Sequence, residues 1–338
     1  MAERRTIGTV RVPSGALVVI DGGLLWMWSG EETPELPPGV QGVRGILDLH
    51  VTGRDVEDFW RAWGRNSYPT YIHDIPVEHV ERVAEEARAL ARDKRLSVQV
   101  GIVASVPHQE RLRQVLKWRA SGGVATFHGI GVTVIGGVPT DRALPVVAEA
   151  SAMAGHAGTW QRAWVELAPG EPVRTMLCGS VGVDMARLMV CDMNALTAWE
   201  SVLSLDGLAD LVLWGLHAAE VAEQVGAPLL SNTEHGWVDL DVHEAFEKAQ
   251  ALEALRNQGE HRFNFDFRPH NHQWQVLKQV RSSPTQSGTI AIDGAEATVF
   301  MTTWGDGVYD VFRDLAADGS TMRIRVELAP AGPSAAPT

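Results

Sequence analysis

Cysteine, tyrosine and lysine are scarce in this chain: two, three and four residues among 338. The two cysteines, Cys178 and Cys191, have no zinc-ligand spacing and sit in neighbouring apolar segments, so they read as a reduced, buried pair. Twenty-five of the 29 basic residues are arginine, the pattern of a GC-rich coding sequence. No apolar run is long enough for a bilayer span, and no apolar stretch follows the basic residues of the first segment. The cytoplasm is therefore the expected location. A Gly-x-Ser-x-Gly elbow, a phosphate loop and a zinc cysteine cluster are all missing. Gly122-Gly123 and Gly136-Gly137 complete no dinucleotide fingerprint, so no nucleotide cofactor is expected and any other cofactor is unknown.

Positive charge is also in deficit, with 29 Lys and Arg against 42 Asp and Glu and a net charge of −13. Such a chain repels phosphate backbones and anionic lipid, so neither nucleic acid nor membrane is an expected partner; a basic protein or a small molecule is. Hydrophobic residues, at 45%, suffice for a sizeable core. Tryptophan is in excess, with 12 residues against 8 phenylalanines. Trp60, Trp63 and Trp118 fall on helix faces and read as core, whereas Trp26, Trp28, Trp274 and Trp304 adjoin turns or strand ends, where indole suits a pocket rim.

The hydrophobic pattern predicts an α+β fold: a β-rich body with a C-terminal four-stranded meander and an inserted mixed α/β segment. Segments 1–44 supply N-terminal strands, 45–138 the insertion, 139–328 the rest of the body, and 329–338 a Pro/Ala-rich flexible tail. The stretch 30–45 reads as an exposed loop. Val77, Val80, Val83, Ala84, Ala87 and Leu90 mark one helix; Ala245, Phe246, Ala249, Leu252 and Leu255 mark another. Residues 181–191 read as one long strand, and Phe263, Phe265 and Phe267 alternate along another. Pro269 is expected to open a helix over 270–281. Strands at 289–292, 297–302, 308–312 and 321–327 follow, separated by Asp-Gly and Gly-Asp-Gly turns. No internal repeat of fixed period is visible.

Pro13–Asp21, Gly182-Val183-Asp184 with Cys191-Asp192, and Trp304-Gly305-Asp306-Gly307-Val308-Tyr309 occur in this order. Together they resemble an uncharacterised bacterial, chiefly actinobacterial, family with a C-terminal Trp-Gly-Asp-Gly turn. The resemblance covers the first thirty residues and the second half. It implies N-terminal strands paired with the C-terminal meander and marked positions for Asp21, Asp184 and Asp306; it implies no activity.

Three constellations carry potential chemistry. Asp21, Asp184, Asp192 and Asp306 stand at strand ends and turns. Converged, they would bind a cation or share a proton; separate, they would accept turn amides. His261, Asp266, His270 and His272 crowd into twelve positions and are the candidate catalytic set, with metal ligation or plain packing as the other readings. His73-Asp74 has the look of half a triad, although neighbours on a strand face opposite ways. Two functions follow. One is a binding protein of immunity or accessory type, with Asp21, Asp184, Asp192, Trp304 and Asp306 as binding residues. The other is an enzyme of unusual fold, a hydrolase or specialised-metabolism enzyme, using the His/Asp set. Whether the chain is an enzyme, and whether it holds a metal, is open at this level.

Overall fold

The computed structural model describes residues 3–34, 45–64, 70–152, 158–231 and 233–329. The predicted loop therefore falls partly, and the tail almost wholly, outside the described residues. The first half runs β1 (Arg4–Arg11), β2 (Ala16–Asp21), a 3-10 turn (Leu25–Met27), β3 (Ile46–Gly53), α1 (Val56–Trp63), β4 (Tyr71–Pro76), α2 (Val77–Asp93), β5 (Val98–Ala104), α3 (His108–Trp118), β6 (Gly123–Phe127), β7 (Ile130–Gly136), β8 (Ala143–Ala150) and β9 (Trp160–Glu166). The second half repeats that order: β10 (Arg174–Val183), β11 (Arg187–Asp192), a 3-10 turn (Ala195–Ala198), β12 (Leu208–Trp214), α4 (Ala218–Val225), β13 (His235–Asp241), α5 (Val242–Gln258), β14 (Asn264–Pro269), α6 (His272–Ser282), β15 (Ser287–Ile292), β16 (Ala295–Met301), β17 (Gly307–Leu315) and β18 (Thr321–Glu327).

The chain is thus an internal duplication, one without the fixed period that a sequence repeat would show. Counterparts are 171 positions apart at Asp21 and Asp192 but 161 apart at Val165 and Val326, so no constant period survives. The clearest remnant is Val165-Glu166-Leu167-Ala168-Pro169, repeated as Val326-Glu327-Leu328-Ala329-Pro330. The hairpins β6–β7 and β15–β16 turn on equivalent pairs, His128-Gly129 and Asp293-Gly294, all at positive φ.

The large sheet follows β10-β17-β18-β9-β8-β1-β16-β11-β2-β7-β6, with β15 added on β16. The halves pair with each other at two symmetric seams, β18–β9 and β11–β2, and again where β1 meets β16. The nearly closed sheet wraps one core, in which Leu17, Val19 and Val165 have Leu188, Val190 and Val326 as counterparts. Its junctions match as well. Thr298 Oγ1 donates to Thr9 O at 2.6 Å, and Thr133 Oγ1 to Ser180 O at 2.9 Å. The β-rich body holds. The continuous meander does not: β15–β16 and β17–β18 are separate hairpins, and β17 pairs with β10 rather than β16. The single strand read at 181–191 is broken at Ala186, which takes φ 50° between β10 and β11.

Each half carries a small α/β lobe of the same topology. In the first, β4-β3-β5 is covered by α1 and α2 around Leu49, Phe59, Trp60, Ala84 and Ala87. The second, β13-β12-β14 with α4 and α5, has its own core of Leu211, Leu213, Val221, Ala249 and Leu252. By compactness the chain divides into two units: Met1–Trp199 with Gln279–Thr338, and Glu200–Lys278. Phe246 and Trp118, expected inside, are exposed. Both cysteines are free; Cys191 is buried and Cys178 half-buried.

Candidate functional site

The two lobes build one motif from the same local chemistry. An aspartate interrupts the apolar first strand: Asp48 in β3 and Asp210 in β12, both buried. Opposite each, the neighbouring strand bulges at a second aspartate held in the left-handed region, Asp74 at φ 60° and Asp239 at φ 55°. The bulge turns that residue's amide inward, so Asp74 N–H donates to Asp48 Oδ1 and Asp239 N–H to Asp210 Oδ1, each at 3.0 Å. The helix after each second aspartate starts at the same backbone angles. Pro76 precedes α2, whereas Asp241 caps α5 by accepting from His243 N–H and Glu244 N–H.

The lobes diverge in what neutralises the aspartates. In the first, Arg111 is 1% exposed and makes a bidentate pair with Asp74 at 2.8 Å on both arms. His73 Nδ1 lies 2.7 Å from Asp48, which also accepts from Ser105 Oγ and Val106 N–H. Burial pushes the Asp48 carboxyl up, but His73, Arg111 and the Val106 amide outweigh it and hold the group below its ordinary value. Burial, with Arg111 adding to it, drives His73 down. The His73-Asp74 pair therefore does not work as written: His73 faces Asp48, and Asp74 faces Arg111.

In the second lobe His270 takes the place of those partners. Its Nδ1 is 3.0 Å from Asp206 Oδ2, and its Nε2 is 3.1 Å from Asp210 Oδ1 and 3.7 Å from Asp239 Oδ1. Trp274 Nε1 donates to Asp210 Oδ2 at 3.1 Å. Burial depresses His270, but the bonds from Asp206 and Asp210 overcome it and raise the imidazole above its usual value. Burial likewise raises Asp210, and the Asp239 amide, His270 and the Trp274 indole bring it down below the ordinary carboxyl.

The remaining expected site residues scatter. Asp266 pairs with Arg268 at 2.7 Å. His272 opens α6, which starts two residues later than expected, and its Nδ1 accepts Glu200 N–H at 2.9 Å. His108 opens α3 in the same way, accepting Ser29 N–H at 3.1 Å. His261 stands 3.7 Å from Glu220 and edge-on to His217. Asp21 and Asp192 are reciprocal clamps. Asp21 accepts from Gly23, Asp184 and Met185 N–H, and Asp192 from Ser14, Asn194 and Ala195 N–H. Burial raises the Asp21 carboxyl against the pull of these amides. Asp184 enters this set through its backbone, and Asp306 accepts Ala186 N–H at 2.8 Å. Trp304 donates Nε1–H to Trp160 O at 2.7 Å and packs on the core. These bonds are the turn-amide reading of the acidic residues.

Among the described residues, two groups bring ligand atoms within 4.8 Å of one another: Asp210, Asp239 and His270, and His217, Glu220 and His261. Neither includes Asp21, Asp184, Asp192 or Asp306. A cavity of about 170 Å³ beside β9 and β18 is lined by Arg4, Arg162, Arg323 and Arg325, but Glu149, Asp314 and Glu171 already pair with them. Sequence reasoning passed over Asp48, Arg111, Asp206, Asp210 and Asp239. The available signal was an aspartate inside an apolar strand, as in Leu208-Ala209-Asp210-Leu211-Val212. A scan of family models and searches of curated proteins and of solved structures found no match to this chain.

Proposed function

We propose that the chain is a binding protein whose recognition surface lies on the unit Glu200–Lys278 and whose partner is a basic protein. The observation that carries this reading is the character of that unit. Its 79 residues hold 13 Asp and Glu against 5 Lys and Arg, a net −8 of the chain's −13. The same unit exposes Val202, Leu203, Leu205, Leu216, Leu229 and Val238. Apolar residues set among acids suit a cationic, amphipathic surface: charge steers the encounter and apolar contact holds it. Catalysis at His270 has less support, because a carboxylate already stands at each ring nitrogen.

Calorimetric titration with an alternating lysine–leucine peptide tests the proposal, with a glutamate–leucine peptide as control. The cationic peptide is expected to bind, to weaken at least about tenfold as salt rises, and to lose affinity when Glu223, Glu244 and Glu247 become lysine. Equal binding of both peptides, or an unaffected charge-reversed protein, would reject it.

A further inference from the structure

The duplication supplies an internal control for the second lobe. Helices α3 and α6 have the same length and begin at equivalent histidines, so Arg111 and Gln275 both stand fourth in their helices. In the first lobe that position delivers a permanent guanidinium to the bulge aspartate. In the second it is a neutral amide, while the acidic charge grows, since Asp206 joins Asp210 and Asp239. Among the described residues no Lys or Arg pairs with any of these three carboxylates within 4.0 Å; His270 alone does. The second lobe keeps the frame of the first but has lost its fixed cation.

We propose that His270 Nε2, Asp210 and Asp239 bind a divalent first-row transition-metal ion, with Asp206 as the carboxylate that orients His270. Three observations fit. First, the three ligand atoms already lie within 4.8 Å of one another. Second, Asp206 sits on His270 Nδ1, so an ion that displaces the proton between Nε2 and Asp210 leaves Nδ1–H bonded to Asp206 and frees the Nε2 lone pair on the side of Asp210 and Asp239. This is the carboxylate–histidine–metal relay of metal sites. Third, the Asp239 and Asp206 side chains are 62% and 48% exposed, so an ion has a way in and water can complete its shell. One imidazole and two carboxylates favour Zn²⁺ or Mn²⁺ over Ca²⁺, which prefers six to eight oxygens.

The other group fails on tautomer. His217 Nδ1 accepts the Arg262 N–H at 3.0 Å, which puts the ring proton on Nε2 and leaves that nitrogen unable to ligate.

Titration of the full chain with Mn²⁺, followed by loss of the free-ion paramagnetic resonance signal and by Zn²⁺ competition, tests the site. One equivalent is expected to bind. Asp239→Asn, at an exposed side chain, and His270→Gln should each weaken it at least about tenfold, and Asp206→Asn should do so by about 10–100-fold. His217→Ala should leave it unchanged. Circular dichroism of Asp239→Asn guards against a folding artefact. No binding to the parent chain, binding indifferent to a folded Asp239→Asn, or binding lost only in His217→Ala would overturn the proposal.

Discussion

Arg111 is the largest of the fully buried side chains, and every charge near it is spoken for. Removing it strands Asp48 and Asp74 in a medium that does not solvate them. Arg111→Ala should therefore cost about 3–5 kcal/mol, well beyond a surface arginine, and urea denaturation with circular dichroism would measure it. His108 makes the matching case for pH. Burial first, then Arg111, His128 and His73, push it down to about 2. The folded chain thus holds a neutral ring, while the unfolded chain takes up a proton near the ordinary histidine value of about 6.5. Below that pH the unfolded state binds more protons, so stability falls with pH by up to about 1.4 kcal/mol per unit from this group. His108→Leu should flatten the pH dependence of the urea midpoint between about pH 6 and 4 by one proton's worth. An unchanged slope would place the acid sensitivity elsewhere.

At the scale of elements, glycine marks where strands of the two halves meet. Gly8 and Gly179 are counterparts, and each follows a register shift, in β1 against β8 and in β10 against β17. A Cβ on Gly8 would stand 2.5 Å from Thr298 Oγ1, and one on Gly179 would collide with Val124. Gly8→Val and Gly179→Val should each destabilise by about 1–3 kcal/mol, measurable as a lowered thermal midpoint. Elements of this kind were legible in sequence where the period was strong: α2, α5, and the alternation of Phe263, Phe265 and Phe267. Strands β8 and β13 were not, because Pro145 interrupts one and Trp237 to Asp241 alternates poorly in the other. The candidate site was half legible. His270 stood out by type, but its partners Asp210 and Asp239 reach it only through strand pairing and a bulge, which local periodicity does not encode.

At the scale of the molecule, the unit Glu200–Lys278 has a hydrophobic core separate from that of the large sheet. Two compact units with separate cores can unfold separately, so differential scanning calorimetry should resolve more than one transition. Leu213→Ala, which opens a cavity in the Glu200–Lys278 core, should lower one transition by the equivalent of about 2–5 kcal/mol and leave the other in place. A single transition moving as a whole would show that the units unfold together. The duplication itself was the part of the architecture least visible beforehand. The halves differ by insertions and deletions that shift the spacing of counterparts, and what they share is mostly apolar pattern and turn geometry.

The reciprocal clamps have a consequence for biogenesis. Asp21 closes on amides 163 and 164 residues further along, and Ser14 on a carboxylate 178 residues away. Strand β2 pairs with β11, and the ladder between β1 and β16 is in register at Arg11 and Glu296. At a synthesis rate of about 5–20 residues per second, the amino-terminal strands wait roughly 8–35 s on the ribosome with an open edge. Such an edge is a template for stray pairing until the second half emerges to cover it.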